Sequence, residues 1–409
     1  MRDNKNVLLI LLILTFLLSL LTIFVVAEGG IPSVSARASA LYEPSTKEFI
    51  YENNANLRLP MASTTKIMTA LIAIERCDLS EVIVIPCEAT GIEGSSVYLR
   101  AGDVVTIRDL LYSVLLQSAN DAATALAIKI AGDVKGFADV MNARAAELGL
   151  NDTHFENPHG LDSKEHYTTA HDLALLAAYA LENDTFRTIC STYKYSFVIS
   201  DSIRTVVNHN KLLKRYDGAI GVKTGYTDES GRCLVSAAEK DGLTLVAVTL
   251  NAPDDWRDHT ALLDYGFSRF ETVKLSSIAI TDFTVPVING QRANLSASIA
   301  DRDAIITVRK GQNQLHAKTL INDNLSAPIS KGDVIGTVTV YDGDTLLYSF
   351  DIIADENVAK ADDNGFLDFI KNIFRRSNGE NQTSKIHIRR GHNVTPCRRG
   401  GNKKRQHFG

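Results

Sequence analysis

The 409-residue chain is poorly supplied with the residues that hold metals, cofactors and phosphates. Its five cysteines, Cys77, Cys87, Cys190, Cys233 and Cys397, include no C-x-x-C pair and no metal-ligand spacing. An odd count also gives no complete disulfide framework. Cys77 and Cys87 are close enough in sequence to bridge in an oxidising compartment, and free thiols fit equally well. No H-E-x-x-H helix and no Gly-rich phosphate loop occurs, so the usual signatures of zinc hydrolysis and nucleotide binding are missing. His154, His159, His166 and His171 fall in loop and helix-start contexts and do not form a ligand set. No metal and no cofactor is expected.

Three short strings are present instead, in a fixed order: Ser63-Thr64-Thr65-Lys66, Ser118-Ala119-Asn120 and Lys223-Thr224-Gly225. A lone S-x-x-K carries little, since an N-cap serine and a solvated helix lysine are commonplace. Together with S-x-N and K-T-G, 55 and then 105 residues further on, it forms a set known for serine acyl transfer. Apolar residues at 67, 71 and 74, with 68 and 72 beside them, predict a helix over 61–75. Ser63 then lies at its N-terminus, where free N–H groups favour developing negative charge. Lys66 is one turn on, on the same face. A serine hydroxyl needs a base within hydrogen-bond reach, and a lysine serves only if burial or a second cation lowers its pKa. Lys223 could be that cation. Helical patterns over 107–117 and 121–130, the first opening on Thr106 and Asp109 in capping-box spacing, put Ser118 and Asn120 in the break between them. Ser118 would pass a proton to the leaving amine, and Asn120 would hold the substrate's peptide carbonyl. Lys223 and Thr224, on a strand facing the site, would take a terminal carboxylate, and Gly225 lets a substrate backbone approach. The N–H groups of Ser63 and Tyr226 are the candidates for an oxyanion hole.

With these strings, Gly91-Ile92-Glu93-Gly94-Ser95-Ser96, Asn157-Pro158-His159-Gly160-Leu161-Asp162 and the run from Lys223 to Ala238, the chain resembles class C low-molecular-mass penicillin-binding proteins, the D-alanyl-D-alanine carboxypeptidases. The resemblance implies an acyl-enzyme on Ser63, loss of terminal D-Ala from peptidoglycan stem peptides, and acylation of the same serine by β-lactam antibiotics. It also places Arg257, in Trp256-Arg257-Asp258, where the family has a cation near the substrate carboxylate, and His159 beneath the site. Tyr226 stands where many relatives have histidine. Two alternatives remain. A class A-like β-lactamase would need a deacylating carboxylate, for which Glu156, 38 residues past Ser118, is the candidate. A non-catalytic penicillin-binding sensor would usually show a broken motif, and none is broken here.

Residues 7–27 are uncharged and mostly apolar behind Arg2 and Lys5, which resembles a signal peptide ending at Val25-Val26-Ala27; the length also permits an uncleaved anchor. Strand-like alternation over 36–42 and 48–52, helical patterns to about 181 and strands over 232–239 and 243–250 predict an α+β domain at 31–275, a β-lactamase/DD-peptidase-like transferase fold with a helical insert in an antiparallel sheet. Short alternating runs with turn residues predict a β-rich domain at 276–357, including a hairpin at Asp342-Gly343. Phe366, Phe369, Ile370, Ile373 and Phe374 recur at helical spacing, with Lys371 and Arg375 beside them, so 363–376 is expected to dock on a membrane surface, as relatives commonly do. Residues 371–409 carry 11 Lys and Arg and one acid, Glu380, against a whole-chain charge of −5. The tail over 377–409 reads as basic and disordered. Nucleic acid is not an expected partner for an exported enzyme, and the expected place is the outer face of the bacterial cell membrane.

Overall fold

A computed structural model describes residues 30–311 and 314–361. An antiparallel sheet takes its strands from both ends of the first fold unit, in the order Glu48–Asn53, Ala38–Glu43, Leu243–Leu250, Gly231–Lys240, Ala219–Thr227. Alternation explains why it is buried on both faces. Ala40, Val246 and Val248 point into the large core shared with the helices, while Leu41, Leu245 and Ala247 point the other way, onto Leu262 and Leu263 of the closing helix Asp255–Arg269. Each such aliphatic side chain removed from water contributes about 1.5–3 kcal/mol before chain entropy is counted.

The helices between the two halves of the sheet form the insert. The helix Lys66–Arg76 runs through its middle, with every residue from Lys66 to Ala73 buried. Around it pack Ile107–Leu116, Asn120–Ala131, Val134–Glu147 and Ala170–Leu181. Thr106 accepts from the Asp109 N–H and donates to its carboxylate, so the expected cap on the second of these helices is present with Asp in the Glu position. The start of the first helix differs from expectation. Residues Ala62–Thr65 form a 3-10 turn and the α-helix begins only at Lys66.

A second five-stranded antiparallel sheet follows, in the order Asp282–Pro286, Asn294–Ile299, Thr345–Ala354, Val334–Asp342, Leu315–Ile321, with its own core of Leu295, Ile299, Val338, Val340 and Ile352. The hairpin through Asp342 and Gly343 is formed as expected. Cys77, Cys87, Cys190 and Cys233 are unbridged. The expected signal segment, membrane helix and basic tail lie outside the described residues.

Candidate active site

The 3-10 turn places Ser63 and Lys66 in near-eclipsed positions, tighter than the three-residue offset of an α-helix would. Lys66 Nζ lies 2.9 Å from Ser63 Oγ. The turn is held in an unusual backbone: Ala62 has φ +46°, and the Ala62 carbonyl abuts Gly160 (φ +88°) so closely that a Cβ on that glycine would sit 1.9 Å from the oxygen. Behind the turn, Thr65 Oγ1 donates to the Ala62 carbonyl. His166 Nδ1 accepts from the Glu156 N–H at 3.0 Å, which leaves Nε2 as the N–H that meets Thr65 Oγ1 at 2.7 Å. Burial keeps His166 neutral, with its pKa pulled down to about 4. Replacing Gly160 by alanine should therefore displace the turn that carries Ser63. The expected result is a loss of roughly 100-fold in the rate of Ser63 acylation, read with a fluorescent penicillin, with the far-UV circular dichroism spectrum retained.

Lys66 is fully buried. Burial, and then the neighbouring Lys223 cation, hold its ammonium far below the usual lysine range, with Asp121 opposing. Its Nζ faces three oxygens: Ser63 Oγ, Asn120 Oδ1 at 2.7 Å and the His159 carbonyl. Two of the three can only accept. A neutral amine must then aim its two N–H bonds at Asn120 and His159 and its lone pair at the Ser63 hydroxyl. That is the arrangement of a general base. The Asn120 Nδ2 group donates to the Glu93 carbonyl. Asn120 thus orients Lys66 through Oδ1, with one of its two Nδ2 N–H bonds spent on Glu93.

Ser118 sits in the break between helices at φ +62°, in the left-handed region that costs a non-glycine residue about 1–3 kcal/mol. Lys223 donates to Ser118 Oγ at 3.0 Å and to the Thr224 carbonyl at 2.7 Å. Burial pulls Lys223 down to about 7. Ser63, Ser118, Thr224, Gly225 and Tyr226 line a cleft of about 350 Å³ together with His209, Lys211, Arg232, Asp255 and Trp256. At Gly225 a Cβ would stand 3.0 Å from the Ser63 nitrogen, so that position needs a bare backbone. A larger cavity, about 550 Å³, lies in the second sheet around Phe283 and Leu325 and carries no nucleophile paired with a base.

Ser63, Lys66, Ser118, Asn120, Lys223, Thr224, Gly225 and Tyr226 are thus brought together. Arg257 is not. Its side chain is 82% exposed, faces Asp254 at 3.7 Å and does not line the cleft. Arg232, Lys211 and Trp256 do line it, and none of them belongs to the three short strings. Glu156 also stays away from the cleft; its carboxylate accepts from Ser163 and the Glu165 N–H, and the Ser163 contact lowers its pKa.

Residues 26–254 match the family model described as D-alanyl-D-alanine carboxypeptidase, and residues 270–360 match the C-terminal domain of penicillin-binding protein 5. The D-alanyl-D-alanine carboxypeptidase DacF of Bacillus subtilis is 34% identical over 82% of this chain and 88% of that protein. DacC of Escherichia coli is 35% identical over 75% of this chain and 80% of its own length. Among solved structures, penicillin-binding protein 5 from Haemophilus influenzae superposes with a TM-score of 0.63 at 27% identity, covering 80% of this chain and 99% of that one. The Streptomyces K15 DD-transpeptidase gives 0.56 at 36% identity, covering 58% and 99%.

Proposed function

The chain belongs to the D-alanyl-D-alanine carboxypeptidase family, and from that premise we propose that Ser63 is its acylating serine and Lys66 the base that activates it. The protein is a serine-type D-Ala-D-Ala carboxypeptidase, a penicillin-binding hydrolase of the bacterial cell wall working outside the cytoplasm on peptidoglycan peptides. One observation carries the assignment of roles: the two acceptor-only partners of Lys66 turn its lone pair toward Ser63.

In this reading Ser63 Oγ attacks the carbonyl of the penultimate D-Ala while its proton passes to Lys66 Nζ. The N–H groups of Ser63 and Tyr226 receive the developing oxyanion, the kind of contact that supplies several kcal/mol in acyl transfer. Ser118, hydrogen-bonded to Lys223, hands a proton to the departing amine as the C–N bond breaks and free D-Ala leaves. The proton that Lys66 took from Ser63 replaces the one Ser118 gave up, which leaves Lys66 neutral again. Water then attacks the ester and gives its proton to Lys66, which passes it to Ser63 Oγ as the ester C–O bond breaks and the shortened peptide leaves. Penicillin acylates the same serine. Incubation with diacetyl-Lys-D-Ala-D-Ala and with a fluorescent penicillin tests the reading: D-Ala release together with a long-lived adduct on Ser63 supports it. An adduct that clears in seconds without D-Ala release would instead indicate a β-lactamase. The fixed Glu156 carboxylate argues against that outcome.

We further propose that 31–275 is the catalytic domain and 276–357 a β-rich spacer or docking domain, a division supported by the two family matches. Membrane attachment through 363–376 belongs to the same proposal; among the described residues no helix is long and apolar enough to cross a membrane. If the Phe366-Phe369-Phe374 stripe docks on lipid, Phe369→Asp/Phe374→Asp in the full chain should bind phosphatidylglycerol vesicles more than about 100-fold more weakly, since each buried phenylalanine contributes about 1.5–3 kcal/mol. Unchanged co-sedimentation would remove the anchor from the proposal.

A further inference from the structure

We propose that Asp121, which follows the second short string, is a positioning residue for acyl transfer: it latches the loop 93–99 onto the start of the helix Asn120–Ala131 and so keeps Asn120 aimed at Lys66. The inference rests on the carboxypeptidase reading and adds to it a residue that none of the three strings contains and that does not line the cleft. The latch itself is the first support. Asp121 is buried, and each of its carboxylate oxygens takes two donors. Oδ1 accepts from the Val97 N–H at 3.2 Å and the Ala122 N–H at 2.9 Å. Oδ2 accepts from Ser96 Oγ at 2.6 Å and the Leu99 N–H at 2.9 Å. An ionised carboxylate, acceptor at both oxygens, suits all four donors. The first turn of a helix also favours its negative charge, and Ala119 offers this helix no side-chain cap of its own.

The second support is the path from the loop to the base. The Ser95 carbonyl accepts the Asn120 N–H at 2.7 Å, and the Glu93 carbonyl accepts from Asn120 Nδ2. Between them, a Cβ on Gly94 (φ +88°) would stand 2.9 Å from Asn120 Nδ2, so the loop closes directly over the amide. Asn120 Oδ1 in turn accepts from Lys66 Nζ at 2.7 Å. Among the described residues, the Asn120 side chain therefore hydrogen-bonds only Lys66 and the loop that Asp121 holds. Ser95 lines the cleft with Ser63 and Ser118, which makes the same loop part of the cleft wall. The loop needs a firm hold. Tyr98 is 78% exposed at φ +59°, a conformation that a bulky residue keeps only where its neighbours fix it. Its N–H goes to Ser96 Oγ at 2.8 Å, the hydroxyl that donates to Asp121.

The third support is charge. Four titratable groups act on or are acted on by Lys66: Lys223 from the strand Ala219–Thr227, Asp121 from the helix, and His159 and His166 from the segment behind the turn. Burial holds the two imidazoles neutral, with pKa values pulled down to about 3 and about 4. At neutral pH the charges that bear on Lys66 are thus Lys223, which favours the neutral amine, and Asp121, which opposes it. Asp121 reaches the base twice, by geometry through Asn120 and by its charge, and a substitution can separate the two.

The test uses two variants of the full chain, with D-Ala release from diacetyl-Lys-D-Ala-D-Ala and acylation by a fluorescent penicillin as readouts. Asp121→Asn keeps the shape, removes the charge and turns an amide nitrogen toward two N–H donors that a carboxylate oxygen had accepted. In that variant kcat and the acylation rate should fall by roughly 10- to 100-fold, while KM stays within about threefold. The acid limb of its pH profile should move down by about one pH unit, because the charge that opposed the neutral amine is gone. Ser96→Ala removes one donor and leaves the charge, so kcat should fall by roughly 3- to 10-fold with the acid limb unmoved. Circular dichroism and thermal melting establish that each variant is folded; if Asp121→Asn is not, Ser96→Ala decides alone. An unchanged kcat in either variant would overturn the proposal, as would an unmoved acid limb in Asp121→Asn or a loss in Ser96→Ala confined to KM. If the unaltered enzyme releases no D-Ala at all, the carboxypeptidase reading fails by itself, and the acylation rates still decide the role of Asp121.

Discussion

With Ser63 replaced by alanine, D-Ala release and penicillin labelling disappear together, while the protein stays folded. The loss should be on the order of 10⁵-fold or more, because removing the nucleophile of an acyl-enzyme mechanism leaves only binding and oxyanion contacts to speed the reaction. Folding should be spared for a structural reason. Ser63 Oγ has one hydrogen-bond partner, Lys66 at 2.9 Å; with its proton turned to that amine, the His159 carbonyl at 3.4 Å is only a contact. Lys66 keeps Asn120 and His159 in the mutant. Intact-mass analysis after penicillin treatment gives the labelling, and an amino-acid oxidase assay gives the D-Ala. Retention of either activity in the variant would assign the chemistry to another serine.

Lys66→Arg is the second large effect, expected to cost on the order of 10³-fold or more in kcat/KM. A general base contributes about 10²–10⁴-fold, and an arginine cannot give up its proton to become one. The positive charge survives the substitution, so a purely electrostatic role for Lys66 would leave substantial activity. The pH dependence separates the roles further. Lys66 works only when neutral, and burial with the Lys223 cation beside it holds its pKa far down, so activity should rise with pH on the acid side as Lys66 loses its proton. Lys223 works as a cation with a pKa of about 7, so activity should fall again as pH rises through that region. In Lys66→Arg the acid limb should vanish while the alkaline limb stays. An unchanged acid limb would assign it to a different group.

The parts of this site that lie within one short string were open to sequence reading, and the parts assembled across segments were not. Ser63 with Lys66 and Ser118 with Asn120 each sit within four residues, so their chemistry could be argued before any geometry. The 3-10 turn at Ala62–Thr65 could not, because apolar spacing over 61–75 fits either kind of first turn. Arg257, which the resemblance puts near the substrate carboxylate, is not among the residues that line the cleft. It lies two residues past Asp255, and residues two apart on a helix do not share a face, so an Asp255 turned to the cleft sends Arg257 away from it. Arg232, which lines the cleft, comes from a strand whose apolar neighbours, Cys233 and Leu234, mark it only as core. In the second sheet, Asn294–Ile299 gives a weak strand signal because Asn, Ser and Ala are weak strand formers; its pattern shows only once Leu295, Ala297 and Ile299 are seen pointing inward. Leu315–Ile321 is an edge strand with His316 and Lys318 on it and with Leu320 exposed, so its pattern lacks a clean apolar and polar alternation.

The two buried lysines have a thermodynamic consequence for the whole molecule. Among the described residues no carboxylate hydrogen-bonds either of them; their partners are hydroxyls, an amide and backbone carbonyls. Below about pH 7 the empty enzyme encloses positive charge that its own fold does not neutralise, a standing strain on the native state. An anion entering the cleft relieves that strain in the folded form alone, so occupancy and durability are coupled: the protein engaged with its peptide should withstand heat and proteolysis better than the protein at rest.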